Sequence, residues 1–344
     1  MNDTTQGLLI ILAAGAIGSA TLLPMKFVRG WRWENSWIVY AALAYAVAPL
    51  LVAWWTIPNL SGVYAQAGLG VTAPVALLGL GWGVSVVMLG LAVAAVGLAV
   101  STGIIMGSSI ALGSLIPLLW LGTDRLTSPE GLRILASDAV ILVGVFLCAR
   151  AGYLRERAKP ALAANEPRGA ISGTRGIAIC FAAGVLTTLL NLALAQGGEL
   201  TRVAVENGAS AQDANNAVWG LAVSAGSLPS ILYCLVLLTR NQSLSDFTAT
   251  SSMYNAAICV AMATFFITAT VGYGMGAAAM GELGPVVGWP VYISSLIIGN
   301  NFWGWATGEW RDSPRSALGV MIAGVALQVA GIAVPFFLNS SATP

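Results

Sequence analysis

An all-α polytopic membrane protein, with ten transmembrane helices in two inverted five-helix repeats, is the fold class the sequence predicts. Three observations carry that expectation. Of the 344 residues 57% are hydrophobic and only 8% charged, with a mean hydropathy of +0.82. A soluble domain carries about 25% charged residues, so lipid must face most of this surface. Ten segments are long and apolar enough to cross roughly 30 Å of hydrocarbon at 1.5 Å per residue. Finally, the longest polar stretch, "ARAGYLRERAKPALAANEPRGAISGTRG" from Ala149, separates two halves that resemble each other.

The first span, near 7–28, follows "MNDTTQG", whose one charge is Asp3. A secretory leader puts its cations before the apolar run, so this segment is expected to stay in the membrane. The next stretch, "PMKFVRGWRWENSW" at 24–37, holds Lys26, Arg29, Arg32 and Glu34 with Trp31, Trp33 and Trp37. It reads as a basic turn flanked by interfacial anchors that leads into the second span, 36–57. The third, 72–92, contains Trp82, Ser85 and "GLGWG", which lacks the GxGxxG spacing and reads as close helix packing. The fourth covers 98–121. The fifth, 134–153, has Asp138 near its start and Arg150 near its end, where solvated or snorkelling roles are usual. The sixth, 174–196, carries Thr187, Thr188 and Asn191. The seventh, 215–239, opens on Asn215, Asn216 and Trp219. The eighth, 251–274, includes Tyr254 and Asn255 and runs into "GYGMG". The ninth, 284–306, is the most polar, with Trp289, Tyr292, Ser294, Ser295, Asn300 and Asn301. The tenth covers 315–338.

In the repeat, "GLLIILAAGAIGSATLL" from Gly7 aligns with "GIAICFAAGVLTTLLNL" from Gly176. Five crossings per half would invert the second half, an arrangement many secondary transporters use to hold substrate near the midplane. The implied organisation is a first repeat over 1–155, a basic linker over 156–173 and a second repeat over 174–344. Placing the first loop in the cytoplasm puts twelve of the fifteen Lys and Arg residues inside, leaving Arg125, Arg133 and Arg202 outside. The cation rule therefore predicts external termini and a cytoplasmic 149–175 loop.

Several chemistries are excluded. The two lysines, Lys26 and Lys159, follow Met and Ala, so no phosphate-binding GxxxxGK[ST] loop exists. Histidine is absent and the four cysteines are solitary, which reads as hydrophobic filler and leaves no catalytic group, metal site or cofactor to assign. No basic stripe points to nucleic acid. What the spans do hold is neutral amides, hydroxyls and indoles, a set suited to an uncharged polyhydroxylated ligand. The expected substrate contacts are Asn191, directly hydrogen-bonded, Trp219 and Trp289 as packing faces, and Asn215, Tyr292, Trp82 and Ser85. Lys26 and Glu34 are expected to pair as a cytoplasmic gate, and Glu282 or Asp138, near helix ends, to carry a coupling proton unless sodium serves instead.

The motif P-x-K-x-V-x-x-W-x-W-E-x-x-W, present as Pro24, Lys26, Val28, Trp31, Trp33, Glu34 and Trp37, resembles the first loop of the L-rhamnose–proton symporter family. That family belongs to the drug/metabolite transporter superfamily. Further likenesses are "WGVSVVMLGLAVAAVGLAVSTGIIMGSSIALGSLIPLL" from Trp82, "ARAGYLRERA", "NNAVW", "LPSILYCLVLLTRN" and "NFWGWATGEW", so the resemblance covers essentially the whole chain. It implies ten helices in two inverted repeats in the inner membrane. It also implies symport of a neutral sugar, most simply L-rhamnose, with a cation, either a proton or sodium. A carrier of another sugar or small neutral metabolite is the alternative reading. A membrane enzyme lacks acid and base groups at depth, and a scaffold needs no repeat.

Overall fold

The computed structural model describes residues 3–158 and 173–338. The expected linker 156–173 lies largely outside the described residues; its first part, through Ala158, is helical. Ten helices are long and apolar enough to span: α1 Asp3–Phe27, α2 Trp33–Thr56, α3 Leu69–Val96, α4 Leu98–Trp120, α5 Pro129–Ala158, α6 Thr174–Glu206, α7 Asn216–Arg240, α8 Ser252–Ala279, α9 Gly281–Ala306 and α10 Arg315–Val334. No strand occurs among the described residues. Helices are what lipid permits, because every backbone N–H and C=O must find its partner within the segment.

Departures from ideal helix have local causes. In α2, Pro49 lacks the N–H that the Tyr45 carbonyl would accept and its ring crowds that carbonyl. The helix relaxes into a π-helical stretch over Ala42–Val47, the kind of bulge common at functional sites. Near its end α6 breaks at Gly197, and Gly198–Glu206 continues as a short amphipathic helix. Another short helix, Leu60–Ala67, fills the connection between α2 and α3. One residue, Gly97 at φ +85°, joins α3 to α4.

α1 packs on α8 and α9, while α6 packs on α3 and α4; α2 lies against α7 and α8, α3 against α7, α4 against α5 and α9, and α5 against α10. Small residues set these distances. A Cβ on Gly79 would lie 1.9 Å from the Ala222 carbonyl oxygen, and one on Gly83 2.1 Å from that of Gly226. The "GLGWG" glycines therefore let α3 and α7 meet backbone to backbone. The alternation of ten crossings leaves two faces. One, the loop-1 face, carries 28–32, Gly97, 241–251 and 307–314; the opposite face carries 57–68, 121–128 and 207–215.

Candidate functional site

Five of the seven expected substrate residues meet in one cluster, around a residue the sequence reading passed over. Tyr273, on α8, lies 5.0 Å from Tyr292, 5.6 Å from Trp289 and 6.1 Å from Trp219 between ring centroids. Its hydroxyl donates to Asn191 Oδ1 at 2.5 Å. Asn191 itself is 0% exposed. Its amide donates to the Gly113 carbonyl of α4 at 2.8 Å and the Pro285 carbonyl of α9 at 2.9 Å. One side chain from α6 thus ties α4, α8 and α9 together. Asn215 donates to the Gly274 carbonyl at 2.8 Å and accepts from Thr201 at 3.2 Å. The Trp289 indole donates to Ser109 Oγ at 3.1 Å. Trp219, 1% exposed, has an indole N–H with no partner, and the buried Ser294 hydroxyl has none either. Gly274 explains how Trp219 fits, since a Cβ there would sit 2.4 Å from its Nε1. The signal for Tyr273 was its position between two glycines on a spanning helix, where packing alone would favour a small residue.

The other two expected residues sit elsewhere. Trp82 stacks near Phe266 at 6.2 Å and meets Tyr45 edge-on at 5.2 Å; Tyr45 in turn contacts Phe266 at 4.9 Å and Tyr40 at 5.2 Å. Tyr45 reaches this cluster from the π-helical stretch. Ser85 donates to the Trp82 carbonyl of its own helix at 2.6 Å. Phe266 lies about two turns before Tyr273 on α8, so the two aromatic clusters follow each other along one helix. Thr187 and Thr188 hydrogen-bond back to their own helix, at 2.8 and 3.0 Å.

At the loop-1 face the expected Lys26–Glu34 pair is not formed. Lys26 pairs with Glu309, which also takes Arg155 at 2.9 Å, while Arg155 lies 5.0 Å over the Trp310 ring. Burial would raise the Glu309 carboxyl, but the Lys26 hydrogen bond and charge, with Arg155, outweigh it and hold the group below its ordinary value. Glu34 is buried and accepts from Ser243 at 2.8 Å and Asn241 at 2.9 Å. Asn255 clamps the Arg29 backbone from α8 at 2.7 and 3.0 Å, and Arg32 pairs with Asp246 at 3.3 Å. The first loop is thereby sewn to the two loops that precede α8 and α10.

The two expected proton carriers separate. Glu282 has 73% of its side chain exposed and pairs with Arg125 at 3.7 Å. Asp138 does not lie at a helix end, because α5 starts at Pro129, which puts it about 14 Å along the helix. It is 7% exposed and no cation pairs with it among the described residues. Ser114 of α4 stands beside its carboxyl. A cavity of about 10 Å³, bounded by Asp138, Ser137, Val287 and Pro290, adjoins it. That is the room one water needs. A buried, unpaired acid in a membrane helix marks a functional site by default. No group of three metal-ligating side chains stands together among the described residues, and all four cysteines are free and buried.

The family described as "L-rhamnose-proton symport protein (RhaT)" matches residues 1–336. An L-rhamnose-proton symporter of Escherichia coli (strain K12 / DH10B) is 24% identical, with 96% of this chain and 98% of the relative covered. The L-rhamnose-proton symporter of Citrobacter koseri is 24% identical over 94% of both chains. That of Shigella boydii serotype 18 is 23% identical over 96% of this chain and 98% of its own.

Proposed function

The chain belongs to the L-rhamnose–proton symport family, and from that premise we propose that it is a secondary transporter, not an enzyme, that carries L-rhamnose inward with a proton. The observation that carries the mechanism is a pair of polar closures at opposite ends of one aromatic core. Toward the opposite face, Asn191 locks α4, α8 and α9. At the loop-1 face, Lys26, Glu309 and Arg155 join with the Glu34 and Asn255 contacts. Releasing one closure while the other holds gives access from one side at a time.

The sugar lies between them. Trp219, Trp289 and Tyr292 offer faces to its C–H groups, and the unpartnered Trp219 N–H finds an acceptor among its hydroxyls. Asn215, Trp82 and Ser85 border the same path. Asn191 meets the sugar when its bonds to α4 and α9 open, the sugar hydroxyls taking the place of the two carbonyls. A site built to bond hydroxyls discriminates strongly, because a missing hydroxyl leaves buried groups unpaired. Asp138 carries the proton: neutral it crosses lipid at low cost, and ionised it needs water or a partner. A proton moved down 100 mV brings about 2.3 kcal/mol, enough for roughly 50-fold accumulation.

The pairing of α1 with α8 and α9, mirrored by that of α6 with α3 and α4, supports an inverted repeat over 1–155 and 174–344. So does Gly15 packing on Ser295 of α9 while Gly184 packs on Ser108 and Ile105 of α4. In the proposed orientation the loop-1 face and the 149–175 segment are cytoplasmic, the termini external, and the membrane is the inner one, as for a drug/metabolite-type carrier.

Radiolabelled L-rhamnose uptake into proteoliposomes, with proton and sodium gradients imposed separately, tests this. Wild type should accumulate sugar under the proton gradient alone. Asp138→Asn should lose accumulation while keeping rhamnose exchange between equal pools. Failure of the wild type to move rhamnose refutes the substrate; accumulation by Asp138→Asn refutes the carrier.

A further inference from the structure

A second binding site lies on the outside of the bundle. Between α4 and α5 runs a groove of about 520 Å³, within the size range of small-molecule sites. Gly107, Ile104, Leu142 and Phe146 line it, and Arg150 and Tyr153 stand at its loop-1 end. From Leu142 to Tyr153 the groove wall rises about 16 Å along α5, close to half of a roughly 30 Å hydrocarbon core. It therefore spans one leaflet. Phe146, Arg150, Tyr153 and Arg157 fall on one side of α5, all exposed. Arg157 lies 5.2 Å over the Tyr153 ring, while Arg150 has no ion pair or hydrogen bond among the described residues.

We propose that this groove holds an acyl chain of an anionic glycerophospholipid, with its phosphate on Arg150 and Tyr153. The apolar length matches one chain, and the cations stand where a headgroup from that leaflet would be, the arrangement of basic interhelical lipid sites. Arginine and a phenol hydroxyl together suit a phosphate oxygen set. A second copy of the chain fits less well: a two-fold contact through this groove would bring the same cationic stripe against itself.

Native mass spectrometry of the purified full-length protein, offered equal phosphatidylglycerol and phosphatidylcholine, tests the assignment. Wild type should keep phosphatidylglycerol in preference to phosphatidylcholine. Arg150→Gln should lower the phosphatidylglycerol adduct about fivefold, the effect of one basic side chain near the surface, and leave the phosphatidylcholine level unchanged. Gly107→Leu fills the groove where a Cβ has only Leu142 at 3.8 Å, so it should lower both adducts while the melting temperature stays near wild type. Equal retention of both lipids by the wild type, an unchanged phosphatidylglycerol adduct in Arg150→Gln, or a dimer abolished by Gly107→Leu would each overturn it.

Discussion

Replacing Asn191 by alanine removes three hydrogen bonds at once, but the three partners differ in what they lose. The Pro285 carbonyl keeps its place in the α9 helical ladder. The Gly113 carbonyl does not, because four residues on stands Pro117, which has no N–H to give. Asn191 supplies that missing donor at 2.8 Å. The Tyr273 hydroxyl likewise loses the acceptor it holds at 2.5 Å. An interhelical hydrogen bond in a membrane averages about 0.6 kcal/mol, and a buried group left without a partner costs about 1–3 kcal/mol. The Pro285 bond counts at the lower figure and the other two at the higher. A water entering the vacated space would return part of this, so Asn191→Ala should destabilise the protein by about 3 kcal/mol. Tyr273→Phe, which deletes one hydroxyl, should cost about 1 kcal/mol. Because the two side chains share a bond, the double variant should lose less than the sum. Reversible unfolding in mixed micelles measures all three. An Asn191→Ala protein within about 0.5 kcal/mol of wild type, or strict additivity with Tyr273→Phe, refutes the three-helix tie.

Three further outcomes follow from particular contacts. Ser294→Ala deletes a buried hydroxyl without a partner, so unfolding should show equal or slightly greater stability; a clear loss of stability would contradict the unbonded hydroxyl. The Glu309 carboxyl is held below its ordinary value in the folded protein, so its stabilising contribution is present at neutral pH and fades as pH falls below the ordinary glutamate range. Acid melting curves of wild type and Glu309→Gln should therefore differ at neutral pH and converge in acid; curves that stay parallel would contradict the pairing. Gly83→Leu drives a side chain into the Gly226 backbone, where even a Cβ would sit 2.1 Å from the carbonyl oxygen. It should yield no folded protein by size-exclusion chromatography, and a monodisperse peak of normal yield would argue against the α3–α7 contact.

The ten spans were legible because lipid filters composition so severely that apolar length alone marks a crossing. Helix ends were less so. Hydropathy located the fifth span from residue 134, because Glu130 and Arg133 depress it, whereas the helix starts at Pro129. That offset made Asp138 read as a terminal residue when it is buried well inside. Pairing across the chain was not legible. Lys26 and Glu34 share one loop, so proximity in sequence suggested a pair, yet the partner of Lys26 is Glu309, 283 positions away. Asn191 was readable as an important amide, since buried amides need partners. Its partners were not, because two of them are carbonyls whose side chains carry no signal. Tyr273 hid between glycines that meet neighbouring helices closely, Gly272 against Ala14 and Gly274 against Trp219.

The single-residue connection at Gly97 makes α4 a lever. Its fulcrum is held by Glu156 of α5, which accepts the Ala99 N–H at 3.2 Å, and a glycine at φ +85° is the residue best able to turn there. Gly113 lies about 24 Å up the arm. A swing of roughly 7° carries it about 3 Å, enough to part it from the Asn191 amide. The same swing moves Leu98 by a fraction of an ångström, so the far end opens while the pivot stays closed. The coupling runs both ways: a small force on the arm near Asn191 exerts its greatest torque at Gly97, and a few degrees of turn at Gly97 become ångströms at Gly113.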